Sequence, residues 1–346
     1  MPTNTWAIAT DVSAHATSDS NTTTEVSGST LRTKLWSDLF GSAIDGDHWQ
    51  EFASGPDIGF TPTALGSFVE SGGQFSISIP FNAGSPIGRA LEATKTFAAG
   101  VALDVSTKVN ITGADGGSGV QFTTSLILWT GSGQYYMEIR IDRDEIRFQR
   151  LVNGGATVVG VLAGSGGQDR DLSFRITRSA ANVWEAFYDL AGGTAWTSLG
   201  TITQDYASTM KVCLATSAGE QDSTVTANFT EFKQDDGGIY WTKQTVILTN
   251  KAIDYALIDW STLVITTETG TVTFDYSTDG GSTYTGTFRT TAAMQALADE
   301  PCTRLQFQVK FNGGGQTAIA SIAGLAIDTV FLGSQTPRQY YTRSGI

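Results

Sequence analysis

The feature that most constrains this chain is a rhythm of short alternating runs cut by turn residues. From 136 to 141, Met137, Ile139 and Ile141 alternate with Tyr136, Glu138 and Arg140. A period of two gives a strand one apolar and one polar face. Comparable runs fall at Gln74–Ile79, 99–111, 120–129, 145–151, 157–163, 172–177, 183–188, 198–202, 210–216 and 225–232. Asn153-Gly154-Gly155 reads as a hairpin turn between two of them. So many short strands with turn signals, and no fixed repeat, predict an all-β protein made of sandwiches.

Composition agrees where it bears on class. Glycine is abundant (39 copies) and proline scarce (7), as in a turn-rich β protein with no proline-rich linker. The 346 residues suit two domains plus an arm. Residues 1–34 are mostly small or polar around Trp6, so an N-terminal arm is expected, either a flexible tail or a segment that orders against a neighbouring subunit with Trp6 as anchor. A larger β-sandwich is expected over 35–235, ending at Asp235-Asp236-Gly237-Gly238, and a smaller one over 236–346 with a C-terminal tail. In the smaller domain, strands are expected at 240–248, 255–266, 271–277, 283–289, 305–311 and 319–332, with one short helix over 291–299. The tail, 337–346, carries paired tyrosines and two arginines that could dock on a neighbour.

The formal charge of −13 argues against nucleic acid, which selects a basic stripe. Two cysteines, Cys213 and Cys302, fall in different expected domains, so no disulfide framework is expected. The N-terminus lacks a secretory pattern and no apolar run approaches a membrane span. The expectation is folding in a cytoplasm, without membrane insertion.

Several motifs carry a resemblance. An opening of the form D-x-F-G-x-x-I-D-x-x-x-W (Asp38, Phe40, Gly41, Ile44, Asp45, Trp49) is followed by Phe174-Arg175-Ile176-Thr177-Arg178, Trp184 to Tyr188, Trp196 and Leu199-Gly200, then by 212–216 and 228–232. The order resembles concanavalin A-like jelly rolls of the laminarinase and laminin-G type. That resemblance implies a first strand paired beside the last and a core hairpin at the R-x-x-R…Y segment. The run from Asp275 to Tyr284 (DYSTDGGSTY) is similar to hairpins of β-rich phage tail and fibre proteins. The same letters fit a turn in which Ser277 and Asp279 bond the backbone.

The jelly roll hosts enzymes and binders alike, so chemistry must be sought in residues. The resemblance implies an E-x-D-x-E strand in glycanases. Its nearest counterpart is Glu138-Ile139-Arg140-Ile141-Asp142, where alternation puts Glu138, Arg140 and Asp142 on one face. A guanidinium between the carboxylates would hold them ionised, whereas a general acid must keep a proton. His15 and His48 lack zinc-site spacing. The glycine-rich runs 113–119 and 164–167 precede no helix, so they are not phosphate loops. Asp45, Asp47, Asp57, Asp115, Asp169 and Asp171 stand near turns and could serve a structural calcium. Trp129, Tyr135, Tyr136, Trp184 and Trp196 could stack on sugars if exposed, or pack if not.

The combined expectation is a structural component of a tailed-bacteriophage virion, in tail, fibre, baseplate or head decoration, assembled in the host cytoplasm. It would act through contacts with itself and other virion proteins, as a homo-oligomer. It is expected not to be an enzyme, with no catalytic, metal or cofactor residues and no cofactor. The alternatives are a carbohydrate-binding module that recognises a host-surface glycan and a divergent glycan hydrolase.

Overall fold

The computed structural model describes residues 3–7, 11–15, 17–18, 21–22, 24–27, 29–33, 38–40, 48–52, 61–63, 65–80, 87–113, 122–131, 135–142, 145–164, 169–219, 224–236, 244–266, 270–311 and 321–331. The chain is all-β and divides into two compact units. The larger is Leu35–Ile239 with Thr17–Asn21; the smaller joins Met1–Ala16, Thr22–Lys34 and Tyr240–Ile346.

In chain order the first strands are β1 (Thr3–Ala7), β2 (Val12–His15), β3 (Thr17–Ser18), β4 (Asn21–Thr22), β5 (Thr24–Ser27) and β6 (Thr30–Thr33). The larger unit continues with β7 (Trp49–Glu51), β8 (Thr61–Pro62), β9 (Ser67–Ser71), β10 (Gln74–Ile79), β11 (Ile87–Ala93), β12 (Leu103–Thr112), β13 (Phe122–Trp129) and β14 (Tyr135–Asp142). It ends with β15 (Glu145–Val152), β16 (Gly155–Ala163), β17 (Arg170–Arg178), β18 (Val183–Asp189), β19 (Thr197–Thr203), β20 (Lys211–Ala218) and β21 (Val225–Asp236). Then come β22 (Gln244–Leu248), β23 (Lys251–Thr266), β24 (Val272–Ser277), a short helix α1 (Thr291–Gln295), β25 (Glu300–Phe311), β26 (Ser321–Ile322) and β27 (Gly324–Phe331).

The larger unit is a sandwich of two sheets. One runs β19-β18-β17-β12-β21-β10-β9; the other runs β16-β15-β14-β13-β20-β11-β7, with β8 beside β11. Alternation does the work: β12 buries every second side chain, placing Leu103, Val105, Val109 and Ile111 inward, and β14 turns Met137, Ile139 and Ile141 the same way. Phe174, Ile176 and Trp184 pack there too, fully buried. The opening motif is a strap. Asp38 exchanges backbone hydrogen bonds with Phe232 of β21, and its buried carboxylate accepts from the Phe40 amide (2.8 Å) and the Trp49 indole (2.9 Å). The domain's start is thus tied to its last strand, as the resemblance implied. Between β15 and β16, Asn153 (φ 52°) and Gly154 (φ 76°) form the expected tight turn, both left-handed.

In the smaller unit β25 pairs β23 through its first half and β22 and β24 through its second. One seven-stranded sheet, β1-β27-β23-β25-β22-β2 with β24 beside β25, thereby closes over its own core of Trp260, Phe274, Phe307, Val309 and Phe311. β26-β6-β5 forms a small companion sheet. Here the expected arm is corrected. β1 pairs β27, and Trp6 is buried against Phe307 (5.0 Å, edge-on) with its indole N–H on the Thr249 carbonyl (2.7 Å). The anchor is right, but its dock is the chain's own far end, 325 residues away at the Thr3–Asp328 contact.

Two further expectations change. The strand over 283–289 is absent, because Asp275, itself buried, draws the Thr285 hydroxyl and the Gly286 amide (2.9 Å) into a looped turn. The helix is shorter than 291–299: Thr290 caps it, and Ala296 ends it after five residues. Ser277 and Asp279 do bond the hairpin backbone, at Gly281 (2.8 Å) and Thr283 (2.9 Å). The Ser277 hydroxyl, donating to Asp279 (2.5 Å), and then the Thr283 amide hold the exposed Asp279 carboxyl below its usual range. No helix among the described residues is long and apolar enough to cross a membrane.

Candidate functional site

The eight-stranded sheet has a second face, turned away from the sandwich core. The register aligns Gln50, Glu92, Cys213, Ile127, Glu138 and Gln149 in one row across six strands. On one side of it lie Lys211, Trp129, Tyr136 and Leu151; on the other lie Ala90, Ala215, Ser125, Arg140 and Arg147. Phe52, Ala90, Ile127, Trp129, Tyr136, Cys213 and Ala215 form a hydrophobic cluster of their own there. Phe52 meets Trp129 edge to face at 5.3 Å. The rings of this face are closed to solvent, with Phe52, Trp129 and Tyr136 only 5%, 4% and 5% exposed, while Gln50 is exposed and Arg140, Arg147 and Lys211 are partly so. Tyr206 pins one end, its hydroxyl 2.9 Å from the Tyr136 carbonyl and 3.1 Å from that of Leu151, and burial pushes its phenol far up.

The polar groups on this face are unequally satisfied. Glu138 is buried and complete: one oxygen accepts from Ser125 Oγ (2.6 Å), the other from Gln149 Nε2 (2.6 Å). Arg140 stands between Glu138 (3.7 Å) and Asp142 (3.6 Å), the arrangement alternation predicts. Glu92 uses Oε2 for Gln50 (2.5 Å) and Lys211 (3.1 Å). Glu92 Oε1 and Arg140 Nε are buried without any hydrogen-bond partner, and the Trp129 indole N–H has only the Cys213 sulfur to turn to. Each such group costs about 1–3 kcal/mol. Cys213 lies beside them, its thiol pushed well up by burial and then by the Glu92 charge, so it stays protonated and unreactive.

Glu92 and Glu138 are separated by β20 and β13. Three ladder steps of about 4.8 Å put their backbones roughly 14 Å apart. Paired glycosidase carboxyls stand about 5–9.5 Å apart.

The other candidates disperse. Trp184 is core, its indole N–H on the Gln204 carbonyl (2.8 Å). Trp196 is half-buried beside the Arg175 guanidinium (5.8 Å), and half-buried Tyr135 hydrogen-bonds Asn153. Asp171 accepts from Asn110 (2.9 Å), and Asp169 is exposed. His48 is buried; His15 lies in β2, with its side chain outside the described residues. Asp45, Asp47, Asp57, Asp115, nearly all of both glycine-rich runs, the 237–238 end of the expected boundary and the 337–346 tail also lie outside them. Among the described residues no cluster of three His, Cys, Asp or Glu could hold a metal ion. Phe52, Gln50, Glu92 and Lys211 were missed by sequence reasoning. The available signal was Glu92 itself, a lone acid in the otherwise small and apolar end of β11, Ala90-Leu91-Glu92-Ala93.

Neither a protein-family model nor a curated protein matches the chain. Solved structures do share the architecture. A GH43 protein from Bacillus licheniformis aligns with 57% of this chain at 15% identity and a TM-score of 0.39, over 38% of its own length. A laminarinase from Flavobacterium sp. UMI-01 aligns with 58% of this chain and 99% of its own (12%, 0.40). The CBM2 module of the evolved Dit of Lactobacillus casei BL23 phage J-1 aligns with 61% and 98% (14%, 0.41). At such identities the likeness is one of jelly-roll architecture. It also corrects the expectation that the chain is not an enzyme. Glycoside hydrolases are prominent among these similar folds, so absence of activity does not follow from this architecture.

Proposed function

We propose that the chain recognises a glycan through the outer face of the eight-stranded sheet, as a component of a bacteriophage virion. The supporting observation is the pair of buried polar atoms without partners, Glu92 Oε1 and Arg140 Nε, beside the Phe52–Trp129 ring pair. A saccharide answers both halves of that surface. Its C–H faces pack on rings, while its hydroxyls donate to a carboxylate and accept from N–H groups. Because the rings are closed off from solvent, ligand entry requires local opening, and association is slow. The virion setting is supported by the sequence resemblance of the Asp275-to-Tyr284 hairpin.

A glycan array that includes bacterial surface polysaccharides tests the reading, followed by titration of Glu92→Gln. The amide oxygen keeps the Gln50 and Lys211 contacts, while the atom at Oε1 becomes a donor. Affinity should fall about tenfold with little change in stability. No binding by the native chain, or equal binding by Glu92→Gln, refutes recognition at this face. Release of reducing ends from a bound glycan would reassign the face to hydrolysis. Absence of the chain from purified particles would remove the virion setting.

A further inference from the structure

We propose that β16 is a self-association edge, through which two copies of the chain join their eight-stranded sheets into one. β16 is the outermost strand of its sheet, nine residues reading GATVVGVLA, with no charge and no proline. Val158 and Val161 are 46% and 44% exposed. Edge strands are ordinarily guarded by charges, prolines or brevity. The opposite edges follow that rule: β7 has three residues and ends on Glu51, and β9 carries Glu70. β16 has only a bulge, opposite the Phe148/Gln149 step.

The neighbouring edge extends the pattern. β19, the last strand of the other sheet, is also uncharged (TSLGTIT). The two edges converge so closely that a Cβ on Gly160 would lie 1.6 Å from the Leu199 carbonyl oxygen. Yet no ladder joins β16 to β19, so the hydrogen-bonding edge of β16 is not used by it. One side wall of the sandwich is therefore made of two neutral strands. Just behind it, Glu145 and Arg147 of β15 pair with each other, and Glu185 accepts from Ser198.

A second copy fits this wall better than another partner. The chain carries a net charge of −13, so copies repel across most surfaces. This wall lets two meet without facing like charges. An antiparallel strand edge is also complementary to itself about a two-fold axis, which places Val158 and Val161 across from their counterparts. Nine residues span about 30 Å, and a two-sheet wall roughly 20 Å deep gives about 600 Å² per copy, or about 1,200 Å² in all, the lower bound of a specific interface.

Sedimentation equilibrium and native mass spectrometry of the full chain test this, comparing the native protein with Val158→Lys/Val161→Lys and with Val69→Lys on β9. The native chain and Val69→Lys should be dimers at about 20 µM, and the double lysine variant should associate about 100-fold more weakly. Both valines are exposed, so its melting curve should keep the native shape. Slowed amide exchange along β16 in the dimer would place the contact. A native monomer at that concentration, or any oligomer that survives the double substitution, overturns the proposal. These readings do not depend on glycan binding.

Discussion

The two outer faces of the larger sandwich solve the same problem in opposite ways. On the seven-stranded sheet, polar side chains hand hydrogen bonds across four strands: Ser76 to Asn228 (2.7 Å), Asn228 to Asn110 (3.4 Å) and Asn110 to Asp171 (2.9 Å). Beside that row, Lys108 pairs with Glu231, and Arg175 grips Asp104 with two nitrogens while lying over Phe187 and near Trp196. Only small debts remain, such as the unpartnered Ser173 hydroxyl beneath the row. The eight-stranded sheet instead buries the rings and carboxylates of its outer face together, and leaves Glu92 Oε1 and Arg140 Nε unanswered. A wet, mutually paired face costs little and specifies little. A dry face with unmet hydrogen bonds carries a standing cost, and such a cost is usually retained for a ligand or a network.

The sharpest way to break this contrast is Glu138→Ala. Ser125 and Gln149 are themselves buried and would both lose their acceptor. Two orphaned groups at about 1–3 kcal/mol each predict a loss of about 2–6 kcal/mol in the larger unit's urea transition. A loss below about 1 kcal/mol would mean that water reaches the face, erasing its difference from the wet one. Next comes Arg175→Lys on the wet face. The charge survives but the fork onto Asp104 and the stacking do not, which predicts a loss of about 1 kcal/mol, restrained because Arg175 keeps solvent contact. An unchanged midpoint would show the pair to be decorative.

Much of the fold was legible because strand alternation is local. β10 alternates half-buried and buried residues over the run its sequence predicts, and Asn153-Gly154 makes the turn its letters require. What was not legible is what depends on register between distant strands. The row Gln50–Glu92–Cys213–Ile127–Glu138–Gln149 draws one residue from each of six strands. Only Glu138 was conspicuous, since it sits in a motif-like run; Glu92 lies in IGRALEA, too short and alanine-rich to declare itself a strand. The dock of Trp6 was hidden for the same reason. Its segment is too polar to fold alone, and its partners, Thr249 and Phe307, are supplied by the other end of the chain.

The smallest expected effect closes the contrast from the wet side. Lys108 and Glu231 stand 2.7 Å apart, with 38% of the lysine side chain exposed. Water and salt compete for both charges, and holding the long lysine costs side-chain entropy, so Lys108→Ala should lose no more than about 0.5–1 kcal/mol. That difference should shrink toward zero in about 1 M salt, where the screening length falls to about 3 Å. Most of the loss from Glu138→Ala should persist there, because its two hydrogen-bond partners are neutral donors shielded from solvent and the charged Arg140 stands farther off, at 3.7 Å. Equal salt sensitivity at the two positions would mean that both faces are hydrated, and the eight-stranded sheet would then have no special claim to the ligand.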